Sequence, residues 1–144
     1  MQSLNRIPSL ILSALSGLLL ILIFPQFNLE FLAWFALIPL LFAIQNQPLR
    51  TVAARGFFAG MIFYFFSLSW VTNTLINYGN IPVSLSFLIL ALLAAYLSFY
   101  ISLFCVLTIK WCRGKPVYFF LLAPFVWTSL EYLRSTHMTF GFSW

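Results

Sequence analysis

Apolar runs separated by short polar segments organise this chain. A membrane crossing by a helix needs about 20 mostly apolar residues, with roughly 17 to 25 tolerated. The first run, 7–24, is free of charge from Ile7 to Phe24 and is closed by Pro25. Arg6 precedes it, as in a signal peptide, but the run is too long for that and no small-x-small cleavage site follows; a retained helix is predicted. The second, 29–44, is apolar from Phe31 to Ile44, with Glu30 at its mouth, and is short enough that alone it could be re-entrant. The third, 56–76, has full length and carries Trp70 and several hydroxyls in its second half. The fourth, 83–109, is long enough to span with tilt. The fifth, 117–133, contains Pro124, which a membrane helix tolerates when neighbours or water satisfy the freed carbonyl. The linkers Pro25–Glu30, Gln45–Arg55, Asn77–Pro82 and Lys110–Pro116 are short and polar, and Tyr78-Gly79-Asn80 before Pro82 is a turn signal. The pattern predicts an all-α integral membrane protein. Residues 1–144 form one transmembrane domain, a bundle of about five transmembrane helices with no room for a folded extramembrane domain.

Composition excludes the alternatives. Hydrophobic residues make up 63% of the 144 and charged residues 6%, whereas about a quarter of an ordinary soluble domain is charged. So few charges cannot coat a water-facing surface, and a chain this apolar and aromatic is not disordered. The net charge of +5 could suggest nucleic acid, but the positives sit singly between apolar runs, as topology signals do. With the N-terminus inside, the inner segments hold Arg6, Arg50, Arg55, Lys110, Arg113 and Lys115, and the outer ones only Arg134. The N-terminus is therefore read as cytoplasmic, placing Arg134, His137 and the terminal Gly141-Phe142-Ser143-Trp144 on the far side.

Candidate chemistry is sparse. Cys105 and Cys112 read as small apolar fillers, and His137, Glu30 and Glu131 do not make a metal site; no cofactor is implied. Glu131 stands out, because an ionisable group at or in a span is costly to bury and marks function by default. Arg134 lies three positions on, on the same helix face, and can pair with it. An interfacial ion pair that fixes the depth of the helix end is the favoured role over substrate contact. Glu30 reads as an interfacial anchor or a helix N-terminal charge. Trp34, Trp70, Trp127, Trp144, Tyr64, Tyr78 and Tyr132 fit an aromatic belt or packing. Thr72, Asn73, Thr74 and Asn77 line a polar cavity or bond between helices. Ser67, Ser98 and Ser102 have no base in sight, so no catalytic constellation is present.

An ordered series of motifs carries a resemblance. Phe24-Pro25-Gln26-Phe27-Asn28 is followed by Trp34 and Pro39-Leu40, then by Arg55-Gly56-Phe57 through Gly60 and Ser69-Trp70-Val71. Gly79-Asn80-Ile81-Pro82, Leu93 to Tyr100 and Ala123-Pro124-Phe125-Val126-Trp127 come next. Glu131-Tyr132-Leu133-Arg134 and Thr139-Phe140-Gly141-Phe142-Ser143-Trp144 close it. Together these resemble the N-terminal membrane region of bacterial apolipoprotein N-acyltransferase, over nearly the whole chain.

The resemblance implies a transferase of the bacterial cytoplasmic (inner) membrane that moves an acyl chain from a phospholipid to the α-amino group of a lipoprotein's N-terminal diacylglyceryl-cysteine. The implied partners are a phospholipid acyl donor, a diacylated lipoprotein acceptor and the bilayer, with no nucleic acid. The family's Glu-Lys-Cys triad sits in an outer carbon–nitrogen hydrolase domain absent from these residues, so they are expected to be silent alone, with catalytic residues: none. A separate chain supplying that domain is a further possibility, and an autonomous membrane scaffold or transporter-like protein is the alternative from another class. By position in the motifs, Trp144, Glu131 and Arg134 are substrate-side candidates, for positioning and helix-end stability. The family reads Gly-Phe-Pro-Trp where this chain has Gly-Phe-Ser-Trp, so Ser143 loosens a segment that Pro would stiffen. Helices are expected to pack through Gly56, Gly60, Ala91, Ala94 and Ala95, in a bundle of marginal stability.

Overall fold

The computed structural model describes residues 6–24, 27–112 and 116–136, with only the backbone at 6–7, 112 and 116–121. It is all-helical, with no strand among the described residues. Helix α1 covers Arg6–Leu22; a 3-10 turn, Glu30–Trp34, leads to α2, Ile38–Ile44. Then come α3, Leu49–Ser67; α4, Trp70–Asn77; α5, Val83–Cys112; and α6, Pro116–Thr136. Among the described residues, Leu49–Ser67 and Val83–Trp111 are long and apolar enough to cross a membrane, while Pro8–Leu22 and Glu30–Ile44 are shorter apolar pieces.

The structure redraws two of the expected spans. The run 29–44 is split because Pro39, in the first turn of α2, has no N–H to give to a preceding carbonyl. A tight turn carries the chain across the break, with Phe35 and Ala36 N–H both donating to the Leu32 carbonyl. The run 56–76 starts earlier, at Leu49, so Arg50 and Arg55 lie on a helix and not in the linker 45–55. It is interrupted at Leu68–Ser69, where i→i−3 bonds take over and the Thr72 hydroxyl donates to the Ser69 carbonyl at 2.6 Å. By contrast α6 runs unbroken past Pro124. The turns use asparagine in the left-handed region, Asn28 at φ 53°, Asn46 at 56° and Asn80 at 49°, which its short polar side chain tolerates best after glycine.

Contacts between helices give their directions. On α1, Leu10 shares a groove with Arg50 and Phe58, Gly17 meets Ala59 and Ile62, and Phe24 lies edge-on to Phe63, so α1 and α3 run parallel. Gly56 faces Ser102 and Cys105 while Gly60 faces Ser98, so α5 runs antiparallel to α3. Trp127 stacks edge-on against Phe104 at 5.3 Å, and Leu130 and Glu131 reach Tyr100, so α6 returns antiparallel to α5. The buried core joins Leu40, Ile44, Val52, Ala59, Tyr64, Leu90, Ala94, Leu97, Ile101, Phe104, Val126 and Leu130. Of the small residues expected at the seams, Gly56, Gly60 and Ala94 are buried, and Ala91 and Ala95 are half-buried.

Hydroxyls in this core serve the backbone. Ser13, Ser98 and Thr108 donate to the carbonyl four residues back, Ser16 bonds the Ala36 carbonyl across helices, and Ser102 donates to the Ala53 carbonyl at 2.9 Å. Thr72 and Thr74 are satisfied within their own stretch of helix, so they do not line a polar cavity through those bonds.

Candidate functional site

The last turns of α6 place Glu131 and Arg134 on one face, and the α3–α5–α6 packing brings Tyr64 to them. Arg134 donates from Nη2 to Glu131 Oε2 at 2.5 Å and from Nη1 to the Tyr64 hydroxyl at 3.2 Å. Arg134 is 3% exposed, whereas the Glu131 side chain is 36% exposed. This asymmetry means the cation is sheltered and the anion reaches the surface. The third donor, Arg134 Nε, is buried with no partner among the described residues. Ser67, one turn beyond Tyr64 on α3, likewise has a buried hydroxyl without a partner among them.

A small cleft opens beside the pair, lined by Tyr64, Tyr100, Ile101, Trp127, Leu130 and Glu131. Its aromatic wall is ordered along α5. The Tyr96 and Tyr100 hydroxyls are 3.1 Å apart, their rings lie edge to face at 5.6 Å, and Phe104 one turn on holds Trp127. The cleft is narrow, with Glu131 as the one charged residue among its described lining residues. Cys105 is fully buried in the α3–α5 seam, where a Cβ added at Gly56 would come within 2.9 Å of its Sγ.

The expected Glu131–Arg134 pair thus forms, and its burial makes it more than a surface contact. Trp144 and His137 lie outside the described residues. Of the aromatics read from the sequence as belt or packing, Tyr64 is buried and bonded to Arg134 and Trp127 packs against the core, whereas Trp34, Tyr78 and Tyr132 are exposed. Glu30 is exposed in the first turn of the 3-10 segment. Tyr64 and Tyr100 carry no sequence signal linking them to Arg134, since 70 residues separate the bonded pair.

Comparison with known proteins bears on what this site serves. Residues 16–144 match the apolipoprotein N-acyltransferase N-terminal domain. The chain is 33% identical over 134 residues to apolipoprotein N-acyltransferase of Geobacter metallireducens, covering 93% of this chain and 25% of that protein. It is 31% identical over 140 residues to the apolipoprotein N-acyltransferase of Haemophilus influenzae, or 97% of this chain and 26% of that one. For Aquifex aeolicus the figures are 35% over 131 residues, 90% and 27%. The chain belongs to the apolipoprotein N-acyltransferase family, and it spans about a quarter of the length of the curated relatives it matches.

Proposed function

We propose, proceeding from that membership, that residues 1–144 form the membrane part of an enzyme that transfers an acyl chain from a phospholipid to the N-terminal diacylglyceryl-cysteine of a lipoprotein. In this reading the chain crosses the bacterial inner membrane five times, through α1, the 30–44 segment, α3 with α4, α5 and α6. The N-terminus is cytoplasmic and the end of α6 faces the periplasm. The alternation of helix directions supports this, as does the charge pattern: Arg50, Arg55 and Lys110 share one end of the bundle. Glu30 and Glu131 lie at the other. Acyl transfer itself belongs to a Glu-Lys-Cys centre in a carbon–nitrogen hydrolase domain outside these residues, and residues 1–144 alone are silent.

The observation that carries the reading is the sheltered Arg134–Glu131–Tyr64 node beside an aromatic cleft at the outer end. Glu131 and Arg134, with Trp144, stand on the substrate side and position lipid substrates. The test uses the full-length protein in proteoliposomes, with a diacylated lipopeptide as acceptor. Arg134→Gln and Glu131→Gln are expected to raise KM for lipid or lipopeptide several-fold with a smaller change in kcat, while residues 1–144 alone yield no product. Acyl transfer by residues 1–144 alone would overturn the division of labour. Wild-type KM values in both folded variants would remove the substrate-side role.

A further inference from the structure

A second feature lies at the opposite end of the bundle. Leu10 of α1 and Arg50, Thr51, Ala54, Arg55 and Phe58 of α3 line an open groove of about 510 Å³, within the roughly 300–1,000 Å³ range of ligand sites. Arg50 is exposed at its mouth, and Arg55 is 7% exposed along it. Helix α3 begins here behind Pro48, which gives no side-chain cap, so the positive end of the helix dipole opens at the same place. No acidic residue stands in the first turn of α3. The chain's two carboxylates are far away. Leu29 bonds Leu22 at the distal end of α1, which fixes neighbouring Glu30 there, and Glu131 lies beside Tyr64. The charge of the groove is therefore positive.

The walls are apolar. Leu10 and Phe58 are 44% and 37% exposed. A soluble anion would use the arginines and leave this wall idle. We infer that the α1–α3 groove binds an anionic glycerophospholipid of the surrounding bilayer, its phosphodiester at Arg50 and Arg55 and an acyl chain along Leu10 and Phe58. Basic pockets between membrane helices hold acidic head groups by the same combination of charge and apolar flank. Arginine suits the task because its fork meets two phosphate oxygens at once. This site is separate from the cleft at Glu131, and its binding does not depend on acyl transfer or on which face of the membrane it occupies.

The test is native mass spectrometry of the full-length protein in detergent with equimolar dioleoyl phosphatidylglycerol and dioleoyl phosphatidylcholine. Retained phosphatidylglycerol is expected to exceed phosphatidylcholine several-fold. Arg50→Gln, at an exposed position that the fold tolerates, should abolish most of that preference. Leu10→Trp, which fills the groove and leaves both charges, should cut phosphatidylglycerol retention, while Glu30→Gln, at an exposed position at the far end, leaves it unchanged. Equal retention of the two lipids by the wild type would overturn the proposal, as would an unaltered preference in either groove variant. Displacement of the lipid by chain-free glycerol phosphate at equal concentration would reduce the site to an anion site and refute the lipid assignment.

Discussion

Gly60 of α3 and Ser98 of α5 meet backbone to backbone: a Cβ at Gly60 would lie 2.9 Å from both Cα and Cβ of Ser98. The obstacle includes main chain, so the two helices must separate to admit even a methyl. In a bilayer, helices gain no hydrophobic drive from each other, and close approach through small residues supplies the dispersion contact that holds them. Gly60→Ala is expected to cost about 1–3 kcal/mol by overpacking, read as a lower midpoint of thermal unfolding in detergent. Ser98→Ala should be nearly neutral, because its hydroxyl is bonded to the Ala94 carbonyl of its own helix.

The Glu131–Arg134 pair predicts an ordering of variants. Glu131→Ala strands a guanidinium that is 3% exposed, whereas Arg134→Met leaves a carboxylate that is 36% exposed and can be hydrated. Losing one partner of a fully buried pair costs about 3–5 kcal/mol, and the partial exposure of Glu131 lowers this to about 2. Arg134→Met should cost less than Glu131→Ala, and Tyr64→Phe about 1 kcal/mol. Denaturant unfolding of the three variants checks the ordering, and a larger loss for Arg134→Met would contradict it.

Phe104 is 2% exposed and meets Trp127 edge-on, an aromatic tie between α5 and α6. Phe104→Ala leaves a cavity there. The expected cost is about 3 kcal/mol, the low end for such truncations, because lipid, unlike water, welcomes the displaced surface. Phe104→Leu should recover most of the loss in the same unfolding measurement.

Topology is accessible to labelling. In a background without Cys105 and Cys112, a cysteine replacing Tyr78, which is 87% exposed, should react with an impermeant maleimide from the periplasmic side. One replacing Gln45, exposed after α2, should react only after the membrane is opened. The reverse pattern would invert the bundle; labelling of both from one side would remove a crossing between them.

The sequence by itself determined the class of the protein, since 6% charge cannot dress a water-facing surface, and the positions of its apolar runs follow from desolvation. It also placed the turn at Tyr78-Gly79-Asn80 and the Glu131–Arg134 pair, because both depend on neighbours a few residues apart. Tertiary structure decided what local pattern does not encode. Pro39 divides a run whose hydropathy is continuous, and the Leu68–Ser69 break ends α3 early although the residues on both sides are apolar enough to continue. Arg50 and Arg55 join a helix that packs beside α1, turning linker charges into one wall of a groove. Tyr64 reaches Arg134 only because α3 and α6 both pack on α5 and run in the same direction. Hydropathy fixes how deep a residue sits, while the rotation of each helix about its axis is set by packing, and that rotation chooses which side chains meet.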